Sequence, residues 1–399
     1  MKKVVFVDIM PRLTALDALR VIFEFFIVSG HVSSNPVDSY QFLDMTLRDS
    51  MSFFFVLSGF VCMYAHPEKD AFDTWRNTIS FWRKKFIQNY PLYFLVCFIN
   101  FIWVYGIDRM EGVYPHWGVH TCVAMDFLCI SSIFYCHQVE MSIYDSGWYL
   151  NILFVFWFIF PLIHRKIHNV CTRYHPWLVI LCFYVISNSL YGFVLGFPIL
   201  SGQRFPFTRV WEFLMGCSVY FTLSKRLHWL VPFTLCGLVI FFYLLAHFYL
   251  QKTQWWCLYP EDRCIPLRLS TMWGRTAIVW ACLIQYIALS APDEKTLAIL
   301  YYRFFEDMNY FSLQVYLTHL LTRKILDVIV KKHMGILWFP EIMYLMAYYY
   351  IAYLFKNNIH VHITKVAEYL WPKPVLPEDF CEQHIIPSFQ IETASNASS

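Results

Sequence analysis

Charge is what this sequence has least of. Asp, Glu, Lys and Arg make up 15% of its 399 residues, against about 25% in an ordinary soluble domain. With 58% hydrophobic and 20% aromatic residues and a mean hydropathy of +0.45, the shortage excludes a soluble globular chain and implies a polytopic membrane protein. A formal net charge of +3 is too small for a nucleic-acid surface, so no nucleic acid is expected as a partner. No Cys and His spacing resembles a zinc site, so no metal is expected. No internal repeat is evident. Residues 1–14 contain no long apolar core, so no cleavable signal peptide is expected and the first span would act as an uncleaved signal-anchor. The Asn-x-Ser/Thr sequon is missing from the expected outer loops and occurs at Asn396 in the tail.

What is present is a series of apolar runs of spanning length. They fall at about 16–33, 50–65, 86–105, 148–163, 177–197, 208–223, 229–250, 273–290, 309–328 and 334–355. The expected fold is therefore all-α, a polytopic membrane bundle of about ten transmembrane helices. Residues 1–15 form a cytoplasmic N-terminal segment, 16–355 the membrane domain, and 356–399 a cytoplasmic tail, partly disordered. The segment 117–135, with His120 and Asp126, reads as a re-entrant or interfacial helix.

Lys and Arg collect in alternate loops, notably Arg83, Lys84 and Lys85, then Arg165 and Lys166, then Lys225 and Arg226. That bias places both termini in the cytoplasm, in a plasma, inner or secretory-pathway membrane. The opposite side carries two long loops, 106–147 with Cys122, Cys129 and Cys136, and 251–272 with Cys257 and Cys264. Disulfides could form there in an oxidising compartment. The odd total of 13 cysteines leaves at least one thiol unpaired within the chain.

The first apolar run, 16–31, is unlike the rest because it carries Asp17, Arg20, Glu24 and His31. At about 100° per residue these lie within roughly 60° of Arg20, on one helix face. Each charge at bilayer depth costs at least about 2.5–3.5 kcal/mol, so the stripe needs a protein or water-filled interior to face. A cleft with ligand or catalytic chemistry is one reading, and a structural polar seam is the other. His31 lies about 16 Å along the axis from Arg20, which separates a cytoplasmic-side group from one in the outer half. Elsewhere, Arg209 and Glu212 share a helix face and are spaced for an ion pair. His319 is a polar residue in mid-helix, and Ser58-Gly59 allows close helix approach.

Six segments, in order, resemble the acyltransferase-3 family of integral-membrane O-acyltransferases. They are Leu16-Asp17-Ala18-Leu19-Arg20 with His31 eleven residues on, Ser52 to Phe60, Phe81 to Tyr93 ending in Tyr-Pro-Leu-Tyr, Trp148 with Pro161, Arg209 to Gly216, and Tyr310 to His319. The resemblance covers about residues 14–355 and implies transfer of an acyl group, expected to be acetyl, from acyl-CoA to a hydroxyl of a carbohydrate, lipid or small molecule. It implies no permanently bound cofactor; acyl-CoA is a donor substrate, and the bilayer and the acceptor are the other partners. On this reading His31 is the general base, with an unperturbed pKa near 6.5, and Arg20 binds the donor or stabilises the oxyanion. Arg83, Lys84 and Lys85 would hold the donor phosphates. Glu24, Trp148, Arg209, Glu212 and His319 are further substrate-lining candidates.

The chain departs from the family at two places that usually carry Arg, which here read Lys85 and Gln88, and at the acidic positions of the fourth helix, which here read Leu153 and Phe154. A transporter or lipid-moving protein is the alternative, since a charged stripe also suits a permeation path. A scaffold that has lost catalysis is the third reading.

Overall fold

The computed structural model of the chain describes residues 14–32, 41–103, 124–131, 147–195, 206–224, 276–289, 299–333 and 340–372, with positions 234 and 237. Among the described residues every regular element is a helix and no strand occurs, in line with the all-α expectation. We label them α1 (Thr14–Val32), α2 (Gln41–Ala65), α3 (Trp75–Trp103), α4 (Trp148–Arg173), α5 (Pro176–Leu195), α6 (Pro206–Thr222), α7 (Ala277–Leu289), α8 (Ile299–Tyr310), α9 (Ser312–His333), α10 (Pro340–Leu354) and α11 (Val361–Leu370). The expected span at 229–250 lies outside the described residues apart from positions 234 and 237.

By length and composition, α3 and α4 can each cross a membrane, and α2, α5 and α7 contain shorter apolar stretches. The outer surface agrees. Phe94, Phe98 and Ile102 recur every four residues on one face of α3 and are 43%, 45% and 53% exposed. On α4, Phe158 and Leu162 are likewise exposed. Contiguous apolar stripes of this kind are rare on soluble monomers and ordinary against lipid tails.

The core is centred on α2 and α6, which pack more extensively than any other described pair. Two glycines allow it: a Cβ at Gly59 would strike the Phe213 carbonyl oxygen, and one at Gly216 would strike the Val56 carbonyl oxygen. The close approach expected at Ser58-Gly59 is thus realised between these helices. It is the small-residue contact by which membrane helices gain dispersion energy without a hydrophobic drive.

The 117–135 segment is described only over 124–131, where residues 124–127 form one helical turn that ends with Cys129 at φ 55°. Tyr90 and Tyr93 donate to the carbonyls of Phe127 (2.8 Å) and Asp126 (2.9 Å), and Asn151 Nδ2 donates to Ser131 Oγ (2.6 Å). The turn therefore sits against the apolar half of α3 and over the start of α4. Cys129 is a buried free thiol, while Cys122, Cys136, Cys257 and Cys264 lie outside the described residues.

Past residue 355 the chain stays helical, through a π-helical turn, Phe355–His360, into α11. Its end is fastened to α3: Arg83 Nε donates to the Trp371 carbonyl at 2.6 Å, and the Trp371 ring lies 5.7 Å from that of Phe86. The part of the expected disordered tail beyond Pro372 lies outside the described residues.

Candidate functional site

A cavity of about 320 Å³ opens between α1, α2, α3, α4 and the start of α9. α1 supplies Arg20 and Glu24, one turn apart, so half of the sequence stripe faces this space. Glu24 is 2% exposed. Ser312 hydrogen-bonds its carboxylate and Arg20 interacts with it electrostatically. Its Oε1 has no protein partner among the described residues, leaving one acceptor oxygen free in the site. Asp17, a turn earlier, accepts a 2.8 Å bond from Asn309 Nδ2 and ties α1 to α8.

His31 continues the stripe as part of α1, and its side chain lies outside the described residues. Its register puts it about 10 Å beyond Glu24 along the axis and about 20° from it around the helix.

The opposite wall comes from α2 and α4. Ser58 Oγ and the Tyr149 hydroxyl share a hydrogen bond of 3.2 Å, and Tyr149 also donates weakly to the Phe54 carbonyl at 3.4 Å. Leu153 lines the cavity, so this wall is apolar below Tyr149. Trp148 does not reach the cavity; its ring packs 6.3 Å from Phe55.

The three consecutive cations on α3 part company because neighbours on a helix diverge by about 100°. Lys85 lines the cavity beside Gln88 and Asn89. Its Nζ lies over the rings of Phe81 and Trp157, at 5.7 and 5.1 Å. Lys84 is exposed, and Arg83 is buried on Trp371.

Arg209 and Glu212 form the expected ion pair, with Nη1 donating at 2.7 and 2.9 Å, both side chains fully buried. Ser52 joins it, accepting from Arg209 at 3.0 Å and donating to Glu212 at 3.3 Å. The guanidinium lies 5.3 Å from the Phe55 ring centre. Neither residue lines the cavity, so the triad fastens α6 to α2 behind it. His319 is fully buried and also off the cavity; its Nδ1 donates to the Tyr316 carbonyl at 2.7 Å. Among the described residues no cluster of His, Cys, Asp or Glu side chains is placed to hold a metal.

Tyr149, Ser312 and Tyr316 also line the cavity, although none of them is among the expected site residues. Ser312 and Tyr316 stand in the family-like segment Tyr310 to His319, and Tyr149 follows Trp148 at a helix start.

Between α2 and α3, His66 packs against Phe72 and Phe81 with ring centres 4.9 and 5.4 Å away. Burial, then the positive charges of Lys85, His164 and Lys84, push its imidazole down to about 4.

An acyltransferase-domain family model matches residues 13–359, from the start of α1 to the π-helical turn. Acyltransferase MdmB of Streptomyces mycarofaciens is 26% identical over 173 residues, which is 42% of this chain and 43% of that protein. The match therefore spans less than half the length of that relative. No solved structure matches.

Proposed function

This chain belongs to the acyltransferase-3 family, and from that premise we propose that it is a membrane-embedded O-acyltransferase that moves an acetyl group from acyl-CoA to a hydroxyl of a carbohydrate, lipid or small-molecule acceptor. The observation that carries the reading is the cavity itself, which gathers two cations, a buried carboxylate with a free oxygen and a pair of hydroxyls at the charged stripe of α1. A volume of about 320 Å³ suits the thioester end of a donor and the hydroxyl of an acceptor, with the bulk of both molecules outside.

In this mechanism Arg20 and Lys85 fix the donor end by charge-assisted hydrogen bonds. His31 takes the proton of the acceptor hydroxyl as its oxygen bonds to the acyl carbon, and general-base help of this kind is worth about 10²–10⁴-fold. Collapse of the tetrahedral intermediate breaks the carbon–sulfur bond, and the thiolate leaves and recovers a proton. With both termini cytoplasmic, the donor arrives from inside and the acceptor from the other face. Mass spectrometry of glycans and lipids from cells with and without the protein tests this. An ester that disappears with the protein is expected; identical ester profiles contradict it.

A further inference from the structure

The polar lining of the cavity has two parts. On the α1 and α9 side Glu24 presents a carboxyl oxygen that has no partner among the described residues. On the α2 and α4 side stand the hydroxyls of Ser58 and Tyr149, each with one hydrogen to donate. Arg20 lies close enough to act electrostatically on both Glu24 and Tyr149.

The hydroxyl of Tyr149 is loosely engaged. Its contacts with Ser58 and the Phe54 carbonyl are 3.2 and 3.4 Å, against about 2.7–2.8 Å for a typical O–H···O bond. The Phe54 carbonyl belongs to the α2 ladder, so it loses little when the tyrosine proton turns elsewhere. The ring, in contrast, is held on three sides, by Phe54, Phe55 and Tyr316, at centroid distances of 6.1, 4.9 and 5.5 Å. A fixed ring whose hydroxyl can redirect limits the reorganisation to one O–H rotation, so the donor is nearly in place for charge as it develops.

We propose that Tyr149, positioned by Ser58, donates the hydrogen bond that stabilises the oxyanion on the acyl carbonyl during transfer, with Arg20 as the neighbouring positive charge. The inference rests on the reading of this cavity as the acyl-transfer site. When the acceptor oxygen bonds to the carbonyl carbon, the C=O electron pair moves onto oxygen and the acceptor's proton passes to the base. The Tyr149 hydroxyl turns from Phe54 to that oxygen. As C=O re-forms, the bond to the leaving group breaks and its electron pair departs with it.

Kinetics of purified protein with two donors, acetyl-CoA and p-nitrophenyl acetate, test this, because the second needs no coenzyme A subsite. Tyr149→Phe keeps the ring contacts and removes the donor. It should lower kcat about 10²–10³-fold with both donors, with donor KM and melting temperature nearly unchanged. Ser58→Ala should give a smaller loss of the same kind. Unchanged kcat in Tyr149→Phe overturns the assignment. So does a loss that comes with a fallen melting temperature in both variants, which makes the pair a packing contact. Intact turnover in His31→Ala beside a crippled Tyr149→Phe removes the base from the proposed mechanism and leaves the oxyanion assignment standing. A wild-type protein inert to both donors overturns both.

Discussion

Gly59 of α2 and Gly216 of α6 face each other so closely that a Cβ on either would collide with a backbone carbonyl of the other helix. Ser58 is the residue before Gly59, so this contact also sets the depth of one cavity wall. The obstacle is backbone rather than a flexible side chain, so the helices must separate to admit a methyl group. Gly59→Ala and Gly216→Ala are each expected to destabilise the protein by about 1–3 kcal/mol or more, seen as a lower thermal midpoint in detergent. An unchanged midpoint would mean that the helices do not pack this tightly.

The Arg209–Glu212 pair is fully buried behind the cavity. Replacing one partner strands a charge, so Glu212→Gln and Arg209→Met are each expected to cost about 3–5 kcal/mol. The double variant Arg209→Met with Glu212→Leu removes both charges and should recover much of that loss. Thermal stability of the singles and the double decides it. If activity vanishes in the stable double variant, the pair takes part in the chemistry.

Protonation of His66 opposes folding. Its imidazole is pushed down to about 4 in the folded chain, against about 6.5 when unfolded. Between those values the unfolded state binds more protons, so stability present at neutral pH is lost as the pH falls through this window. His360, pushed down to about 4 by burial and the nearby Lys356, acts in the same direction. His66→Phe keeps the ring contacts and cannot titrate. The fall in melting temperature between about pH 7 and about pH 5 should shrink in this variant without disappearing. An equal fall in wild type and variant would contradict the assignment.

Lys85 and Arg83 should separate donor binding from helix fastening. Lys85 lines the cavity, so Lys85→Gln is expected to raise the KM for acetyl-CoA about tenfold or more, the worth of a charge-assisted hydrogen bond. Arg83 holds Trp371, so Arg83→Gln should leave that KM alone and speed amide hydrogen exchange in α11. A donor KM that responds only to Arg83→Gln would reverse the roles.

The sequence displayed what depends on local spacing. The stripe of Asp17, Arg20 and Glu24, the pairing of Arg209 with Glu212 and the close approach at Gly59 all follow from helical periodicity and residue size. The division of Arg83, Lys84 and Lys85 among three surroundings was implicit in the same periodicity, although a run of like charges reads as one patch. The cavity-facing places of Tyr149 and Ser312 could not be read in this way, although Ser312 stands in the family-like segment Tyr310 to His319. Their positions depend on where α4 and α9 begin against α1 and α2, a long-range packing outcome, and neither residue type is unusual in an apolar helix. Trp148, conspicuous in the sequence, packs on Phe55, while its plainer neighbour Tyr149 faces the cavity.

Acyl transfer at the Arg20 cavity is measured directly by transfer of a radiolabelled acetyl group from acetyl-CoA into hydroxylamine-labile ester, in membranes carrying either wild-type protein or Arg20→Gln at equal amounts. Wild-type membranes should accumulate labelled ester, and Arg20→Gln membranes should fall to the level of membranes without the protein. Transfer by Arg20→Gln at the wild-type rate would contradict the claim.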